Sequence, residues 1–282
     1  MLKPKVCVLR SAGTNCDQET AAAFSLAGAA VELLHINSLV NNKRTFDDFH
    51  ILAFPGGFSY GDDVASGKIF ANELRFKLAD SLCKFIADGK LIIGICNGFQ
   101  ILVKSGFLPG MGPYGTLAQR TAKCSPAGRR GQCAPVCDLE QNTSLIINDS
   151  AKFEARWVYL KSGGNCVWTK GLEKIIYLPV AHGEGKFVVS DKQVLNRLKN
   201  NNQIVFQYSD EAGNLSGYPD NPNGSMENIA GICDEAGRVL GLMPHPERHI
   251  YAAQHPRRNE LKKGEDGLQI FKNGVNFIRK HF

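Results

Sequence analysis

The chain has 282 residues, 43% of them apolar, and a formal net charge of +6. That length allows one large α/β domain or two small ones, and the near-average composition excludes a disordered or fibrous chain. The basic excess is too small for a nucleic-acid-binding surface, and no run approaches the roughly 20 apolar residues of a membrane helix. With no signal-peptide pattern either, we expect a cytoplasmic protein with no nucleic-acid or membrane partner.

The first hundred residues alternate short apolar runs, typical of strands, with longer segments of helical periodicity. We predict strands at 6–10, 31–36, 50–55 and 91–95, and helices at 17–28, 68–88 and 97–105. Buried strands alternating with helices predict an α/β fold, a doubly wound and mainly parallel sheet flanked by helices. Ligands of such sheets bind at the carboxyl ends of the strands.

The second half is richer in strands. We predict strands at 153–160, 175–179, 186–189, 204–208, 229–233 and 239–243, and a last helix at 267–279. No internal repeat and no long linker is present, so we expect residues 1–282 to form a single domain. Residues 116–137 interrupt the pattern with four basic and no acidic residues, and we interpret this cysteine-bearing stretch as a loop or insertion.

The most informative segment is LIIGICNGFQIL, residues 91–102. Its G-x-C-x-G core has the form of a nucleophile elbow, a sharp turn between a strand and a helix. Gly94 and Gly98 remove side chains that would collide at the turn, and the helix dipole starting at Asn97 favours the thiolate of Cys96. A free cysteine is otherwise often an inert apolar residue. The strand before and the helix after favour Cys96 as a nucleophile.

A partner base is predicted in GLMPHPERH, residues 241–249, which follows a strand. Pro244 and Pro246 favour an extended segment, in which His245 and Glu247 project to the same side. The carboxylate can then hold the imidazole while the imidazole faces the thiol of Cys96. The alternative is a proline-rich surface turn whose His and Glu are solvated.

Acyl transfer also needs donors for an oxyanion. The run LAFPGGFSYGDD, residues 52–63, follows a strand, and its glycines let the backbone present N–H groups. The N–H of Gly57 and the N–H of Asn97, the residue after the nucleophile, are the natural pair. The same run lacks the G-x-x-x-x-G-K-[ST] pattern and the lysine of a phosphate loop.

Taken together, GICNGFQIL, PGGFSYGDD and MPHPERH resemble the class I, triad-type glutamine amidotransferases. GTNCD (13–17) and AHGEG (181–185) point within that class to the family of small glutaminase subunits of phosphoribosylformylglycinamidine synthase. The resemblance covers about residues 5–112 and 150–280. Residues 116–137 and 251–264 are longer than the compact pattern of the family, which affects the expected partner-facing surfaces but not the triad.

The resemblance implies a flavodoxin-like amidotransferase fold and a Cys–His–Glu triad made of Cys96, His245 and Glu247. It also implies a glutamine pocket lined by three residues of the segments quoted above, Gly57, Asn97 and Gln100. His182 and Glu184, in AHGEG, are expected to shape a loop near the pocket or at the partner interface, although His182 is also an alternative base.

By the same resemblance the chain hydrolyses L-glutamine and supplies ammonia to a partner. That partner is the large synthetase subunit, with a small accessory subunit as a further candidate, and it converts formylglycinamide ribonucleotide to formylglycinamidine ribonucleotide in purine biosynthesis. Nothing in the chain resembles an ATP site, so ATP and Mg are expected on the synthetase only. We expect no metal and no cofactor here.

Several alternatives stay open. Cys16 shares the helix-dipole argument but has no paired base, so packing near the active site is favoured for it. Cysteines 124, 133, 137 and 166 do not have a regular zinc spacing, and His249 and His255 are expected at the surface. Another Cys-triad hydrolase, such as a peptidase, and a catalytically silent binding module remain as competing functions.

Overall fold

The computed structural model describes residues 2–110, 139–260 and 264–282. The strands within these residues are β1 Lys5–Arg10, β2 Ala30–His35, β3 Ile51–Phe54, β4 Leu91–Ile95, β5 Thr143–Ile146, β6 Glu154–Ser162, β7 Ile175–His182, β8 Lys186–Val189, β9 Ile204–Ser209, β10 Ile229–Cys233 and β11 Val239–Leu242. The α-helices are α1 Asp17–Leu26, α2 Ile36–Val40, α3 Lys68–Glu73, α4 Ala79–Ala87, α5 Asn97–Lys104, α6 Lys192–Asn200 and α7 Leu268–His281. The predicted insertion at 116–137 lies outside the described residues.

Nine of these strands form one sheet, in the order β2-β1-β3-β4-β11-β10-β9-β6-β7. The pairs from β2 to β11 are parallel, which confirms the predicted doubly wound sheet. The pairs from β11 to β7 are antiparallel. The link from β10 to β11 is far shorter than the dozen or more residues that a parallel crossover needs, so this pair is antiparallel.

The predicted elements and the structure differ in several places, and neither strand β5 nor the short helix α2 was predicted. The strand predicted at 186–189 is confirmed as β8, but it pairs only with β5, in a separate two-stranded sheet. The helix predicted at 68–88 is interrupted by a π-helical turn, Leu74–Leu78. Helix α6 was not predicted, although Asp191 before it accepts hydrogen bonds from the N–H groups of Gln193 and Val194, an N-cap signal visible in the sequence.

Helices cover the sheet and close the core. Strands β3 and β4 are buried along their whole length, as expected for strands covered on both faces. Helices α1 and α7 contact each other, and the rings of Phe24 and Phe271 meet edge to face at 4.9 Å. Gly274 of α7 gives the indole of Trp168 room to pack against that helix. Helix α5 contacts α3 and the strands β3 and β4.

This packing leaves the carboxyl ends of β1, β3 and β4 at one edge of the sheet, where the GTNCD, PGGFSYGDD and CNGFQ segments follow them. No described helix combines the length and apolar character needed to cross a membrane.

Candidate active site

Cys96 occupies the sharp turn that the sequence predicts between β4 and α5. Its backbone has φ 51° and ψ −105°, a conformation that is costly for a residue with a side chain. The Cys96 N–H donates to the carbonyl of Leu242 at 2.8 Å, and the Cys96 carbonyl accepts from Gln100 N at 3.1 Å. The neighbouring strand and the first turn of α5 therefore hold the strained residue, and its thiol lies at the start of a helix.

The two glycines of this turn are required by close approaches. A Cβ on Gly94 would lie 2.6 Å from the carbonyl oxygen of Gly98. A Cβ on Gly98 would overlap the carbonyl oxygen of Phe54 in β3. The elbow is therefore specified by the contact of α5 with the sheet as well as by its own backbone.

We expect Gly98→Ala to lower the free energy of unfolding by about 3 kcal/mol, because a backbone carbonyl cannot make room for the new methyl group. Alanine would otherwise favour this helical position by about 1 kcal/mol. Gly217→Ala is the matched control, since a Cβ at Gly217 meets nothing within 4 Å, and it should change stability by less than ~0.5 kcal/mol. Urea unfolding of both variants checks this. Equal stabilities would contradict the packing described.

His245 and Glu247 form a buried pair beside the thiol. Nδ1 of His245 lies 2.6 Å from Oε1 of Glu247, and both side chains are almost fully shielded from solvent. The predicted extended backbone is wrong here, because Pro246–Arg248 is a 3₁₀ turn and not a strand. The turn brings the imidazole and carboxylate together through a local hydrogen bond. The solvated alternative considered for these two residues is also wrong.

The environment of His245 favours its protonated form. Burial alone would lower its pKa, but the charge of Glu247 and the adjacent Cys96 and Cys16 thiols raise it well above the ordinary value. An imidazolium next to a thiol stabilises the thiolate. His245 is therefore placed to act as a proton donor beside the thiol.

Gly57 lines the cavity that Cys96 and His245 also line, and it follows β3. Its φ of +135° and the position of Asn15, whose backbone nitrogen would be 2.7 Å from an added Cβ, both require glycine. Thr14 forms an isolated bridge with Gly57, so the GTNC segment packs directly on the glycine loop. This contact explains why two segments separated by some forty residues belong to one site.

Asn97 and Gln100 are linked by a polar network. Asn97 Nδ2 donates to Gln100 Oε1 at 3.0 Å, and Asn97 Oδ1 accepts from the Ser59 hydroxyl at 2.6 Å. Gln100 Nε2 donates to the carbonyl of Glu184 at 2.6 Å. The side chain of Asn97 thus lies behind the cavity wall and fixes the glycine loop and Gln100 relative to each other.

Glu184 and its neighbours bring the AHGEG segment to the same place. Glu184 Oε2 lies 3.7 Å from Nζ of Lys104, a buried lysine whose pKa is lowered by burial. His182 is buried, and burial together with the charge of His245 lowers its pKa to about 3. Neither ring nitrogen of His182 has a hydrogen-bond partner among the residues described. His182 is therefore neutral, which does not suit a second proton carrier.

Cys16 and Arg248 complete the surroundings of the His245–Glu247 pair. A guanidinium nitrogen of Arg248 donates to Cys16 Sγ at 3.0 Å, and Cys16 lies against His245. Packing near the active site is where the sequence analysis expected Cys16. Arg248 was missed, and it was present in the sequence only as the residue following Glu247.

These segments enclose a cavity of about 120 Å³. It is lined by Asn15, Cys16, Gly57, Phe58, Asp62, Ser66, Cys96, Gln100, Phe153, Ala181, His182, Gly183, Glu184, His245 and Arg248. The predicted nucleophile, base and glycine loop therefore face one small polar cavity, together with His182 and Glu184.

Two histidines lie elsewhere than expected. His249 and His255 are buried, not at the surface, and both rings pack against Trp157 with centroid distances of 5.0 and 4.3 Å. Their aromatic partners come from β6 and β7, which the sequence could not place beside them.

Comparisons with known proteins agree with this site. Residues 3–278 match the CobB/CobQ-like glutamine amidotransferase domain family. The chain is 46% identical to phosphoribosylformylglycinamidine synthase subunit PurQ of Dehalococcoides mccartyi, covering 99% of this chain and 100% of that one. It is 42% identical to the subunit PurQ of Methanococcus maripaludis, with 98% of each covered.

Among solved structures, PurLQS from Thermotoga maritima is similar over 98% of this chain and 100% of the matched chain, with a TM-score of 0.68 and 32% identity. The matched family, the turn at Cys96 and the buried His245–Glu247 pair are consistent with one another. The chain belongs to the CobB/CobQ-like glutamine amidotransferases, in the group of phosphoribosylformylglycinamidine synthase subunits PurQ.

Proposed function

We propose that the chain is the glutaminase subunit of phosphoribosylformylglycinamidine synthase, which hydrolyses glutamine and supplies ammonia to a synthetase. The observation that carries this proposal is the position of Cys96, on a strained turn in the same cavity as the buried His245–Glu247 pair. The full-length similarity to PurQ subunits of other organisms supports the substrate and the pathway.

In the proposed reaction the Cys96 thiolate attacks the side-chain amide carbon of glutamine. The imidazolium of His245 gives its proton to the leaving nitrogen, so ammonia departs and a glutamyl thioester remains. Neutral His245 then takes a proton from a water molecule, which attacks the thioester and releases glutamate. Glu247 holds the imidazole through Nδ1 and stabilises its charge without entering the bond changes.

The cavity wall offers groups for the rest of the substrate. We assign the binding of the oxyanion to the backbone N–H groups of Gly57 and Asn97. The side-chain amide of the substrate glutamine is placed near Gln100. Arg248 and Glu184 line the cavity with opposite charges, which suits the α-carboxylate and α-ammonium groups of a free amino acid. A peptide substrate carries neither charge at an internal residue, which disfavours the peptidase alternative.

The partner in this proposal is the large synthetase subunit, as the PurLQS structure from Thermotoga maritima suggests, with a small accessory subunit as a further candidate. ATP and Mg are assigned to the synthetase, and no cofactor or metal takes part in the step proposed for this chain. We further propose that residues 1–282 act as one amidotransferase domain in the cytoplasm.

The test of this function is the glutaminase rate of the isolated chain compared with the chain bound to its synthetase and substrates. We expect the isolated chain to be nearly idle, at least about tenfold slower, because the Gly57 peptide can turn its N–H toward or away from the cavity. The chain should also co-purify with the synthetase. The increase in glutaminase rate should be accompanied by glutamine-dependent product formation. If the isolated chain is as fast as the complex, activation by a partner is wrong and the chain is a free-standing hydrolase.

A further inference from the structure

A buried lysine lies next to the cavity wall, and the proposed reaction gives it no task. Lys104, at the end of α5, is only 6% exposed. Its Nζ donates to the carbonyl oxygen of Ser66 at 2.6 Å and lies 3.7 Å from Oε2 of Glu184, and both partners line the cavity. Burying an ammonium group is costly unless its charge is paired and hydrogen-bonded. The contacts with the cavity wall therefore offset the cost of burying Lys104.

Lys104 and Gln100 hold one residue of the AHGEG segment from the same face of α5. They are four residues apart in the helix, so their side chains are neighbours. Gln100 Nε2 donates to the backbone carbonyl of Glu184 at 2.6 Å, whereas Lys104 contacts its carboxylate. Gln100 thus fixes the backbone of Glu184 and Lys104 fixes its side chain. Without Lys104 that side chain could turn to solvent, because it is 33% exposed.

A second carboxylate lies on the same wall. Asp62 lines the cavity together with Glu184, and its Oδ1 accepts hydrogen bonds from the N–H of Gly67 at 3.1 Å and from Nδ2 of Asn97 at 3.3 Å. Burial raises the pKa of Asp62, and the nearby charge of Glu184 adds to that effect. The charge of Lys104 interacts with both carboxylates and so opposes their mutual repulsion. The wall therefore presents two carboxylates with one buried counter-charge.

We infer that Lys104 is a positioning residue for substrate recognition: it holds Glu184 beside Asp62, and this carboxylate pair binds the α-ammonium group of glutamine. One positive charge against two negative charges leaves the wall short of one cation, which the α-ammonium group supplies. Arg248, which lines the same cavity, is left for the α-carboxylate. Lys104 acts through Glu184 and does not touch the substrate. The inference rests on the proposed glutaminase function and adds the residue that supports its preference for a free amino acid.

The test separates recognition of the α-ammonium group from general damage to the site. It compares glutamine as the substrate of the complete complex with 4-carbamoylbutanoate, which is glutamine without the α-amino group, as a competitive inhibitor. We expect Lys104→Met to raise KM for glutamine at least about tenfold, and to change kcat and the Ki of 4-carbamoylbutanoate less than about twofold. Lys90→Met is the matched control, because Lys90 is also buried but its Nζ donates to the carbonyl of Asp47, and neither residue lines the cavity. It should leave all three values unchanged.

Glu184→Gln should reproduce the pattern of Lys104→Met, and its partly exposed side chain makes it the milder variant for folding. In the Glu184→Gln background, Lys104→Met should raise KM by less than about threefold more, because the lysine acts through that carboxylate. Equal increases in KM and Ki, or independent effects of the two substitutions, would overturn the inference and leave the glutaminase function in place. Absence of glutamine hydrolysis by the wild-type complex would overturn the proposed function, and the inference with it.

Discussion

Cys96→Ala should abolish glutamine-dependent formation of formylglycinamidine ribonucleotide, with a loss of at least about 10³-fold. The strained backbone at Cys96 places its sulfur at the carboxyl end of β4 and at the start of α5. Cys16 is the other thiol in the cavity, but it follows β1 and not the elbow, so it cannot replace Cys96. The measurement is the steady-state rate of the reconstituted complex with saturating glutamine.

The control for this variant is the rate with free ammonium in place of glutamine. We expect the Cys96→Ala complex to retain the ammonia-dependent rate of the wild type, because the synthetase site is on the partner. Retained glutamine turnover would remove Cys96 from the mechanism. Loss of both rates would show that the cavity residue also supports assembly.

His245→Gln should cause a similar loss of glutamine hydrolysis, at least about 10³-fold. The imidazole is the one group proposed both to protonate the leaving nitrogen and to activate water, and His182 cannot replace it because burial holds it in the neutral form. The glutaminase rate of the complex is again the measurement, with ammonia-dependent activity as the control. Equal rates for wild type and His245→Gln would rule out the triad.

Glu247→Gln should reduce the glutaminase rate by about two orders of magnitude less than His245→Gln does. Glu247 orients the imidazole and stabilises its charge without exchanging protons. It should also change the pH profile. Glu247 raises the pKa of His245 and burial lowers it, so removing the charge lowers that pKa. The imidazolium is then lost at lower pH, and the basic limb of kcat/KM should move to lower pH. If the basic limb of kcat/KM stays at the same pH, the ionisation of His245 does not determine that limb.

The parts of the fold that were predicted correctly depend on local signals. The alternation of apolar strands and helices was enough for the parallel half of the sheet, and G-x-C-x-G was enough for the turn at Cys96. The strands are buried on two faces, and the turn needs positions without a side chain at a tight approach. Both features are encoded within a few neighbouring residues.

The rest depends on which distant segments meet. Arg248 contacts Cys16 across 232 residues of sequence, and no local sequence pattern predicts that contact. His249 and His255 look like exposed residues of a polar segment until β6 and β7 bring aromatic rings over them. The pairing of β5 with β8 outside the main sheet is of the same kind, since period-two patterning does not name the partner strand.

The backbone around His245 shows a different limit. The two prolines correctly indicated a restricted segment, but proline is also compatible with the first residue of a 3₁₀ turn, and Pro246 takes that position. The imidazole and the carboxylate lie 2.6 Å apart, through a backbone geometry other than the expected one. A motif can therefore identify the interacting residues without identifying their backbone conformation.

The most direct test of the central claim is the site of covalent labelling by a glutamine-like electrophile, 6-diazo-5-oxo-L-norleucine, on the complete complex. Two thiols share the cavity, so the mapped peptide distinguishes the nucleophile from its neighbour. We predict stoichiometric labelling of Cys96 that excess glutamine prevents, with Cys16 unmodified and the label absent from Cys96→Ala. Labelling of Cys16 in its place, or labelling that glutamine does not slow, would contradict the account.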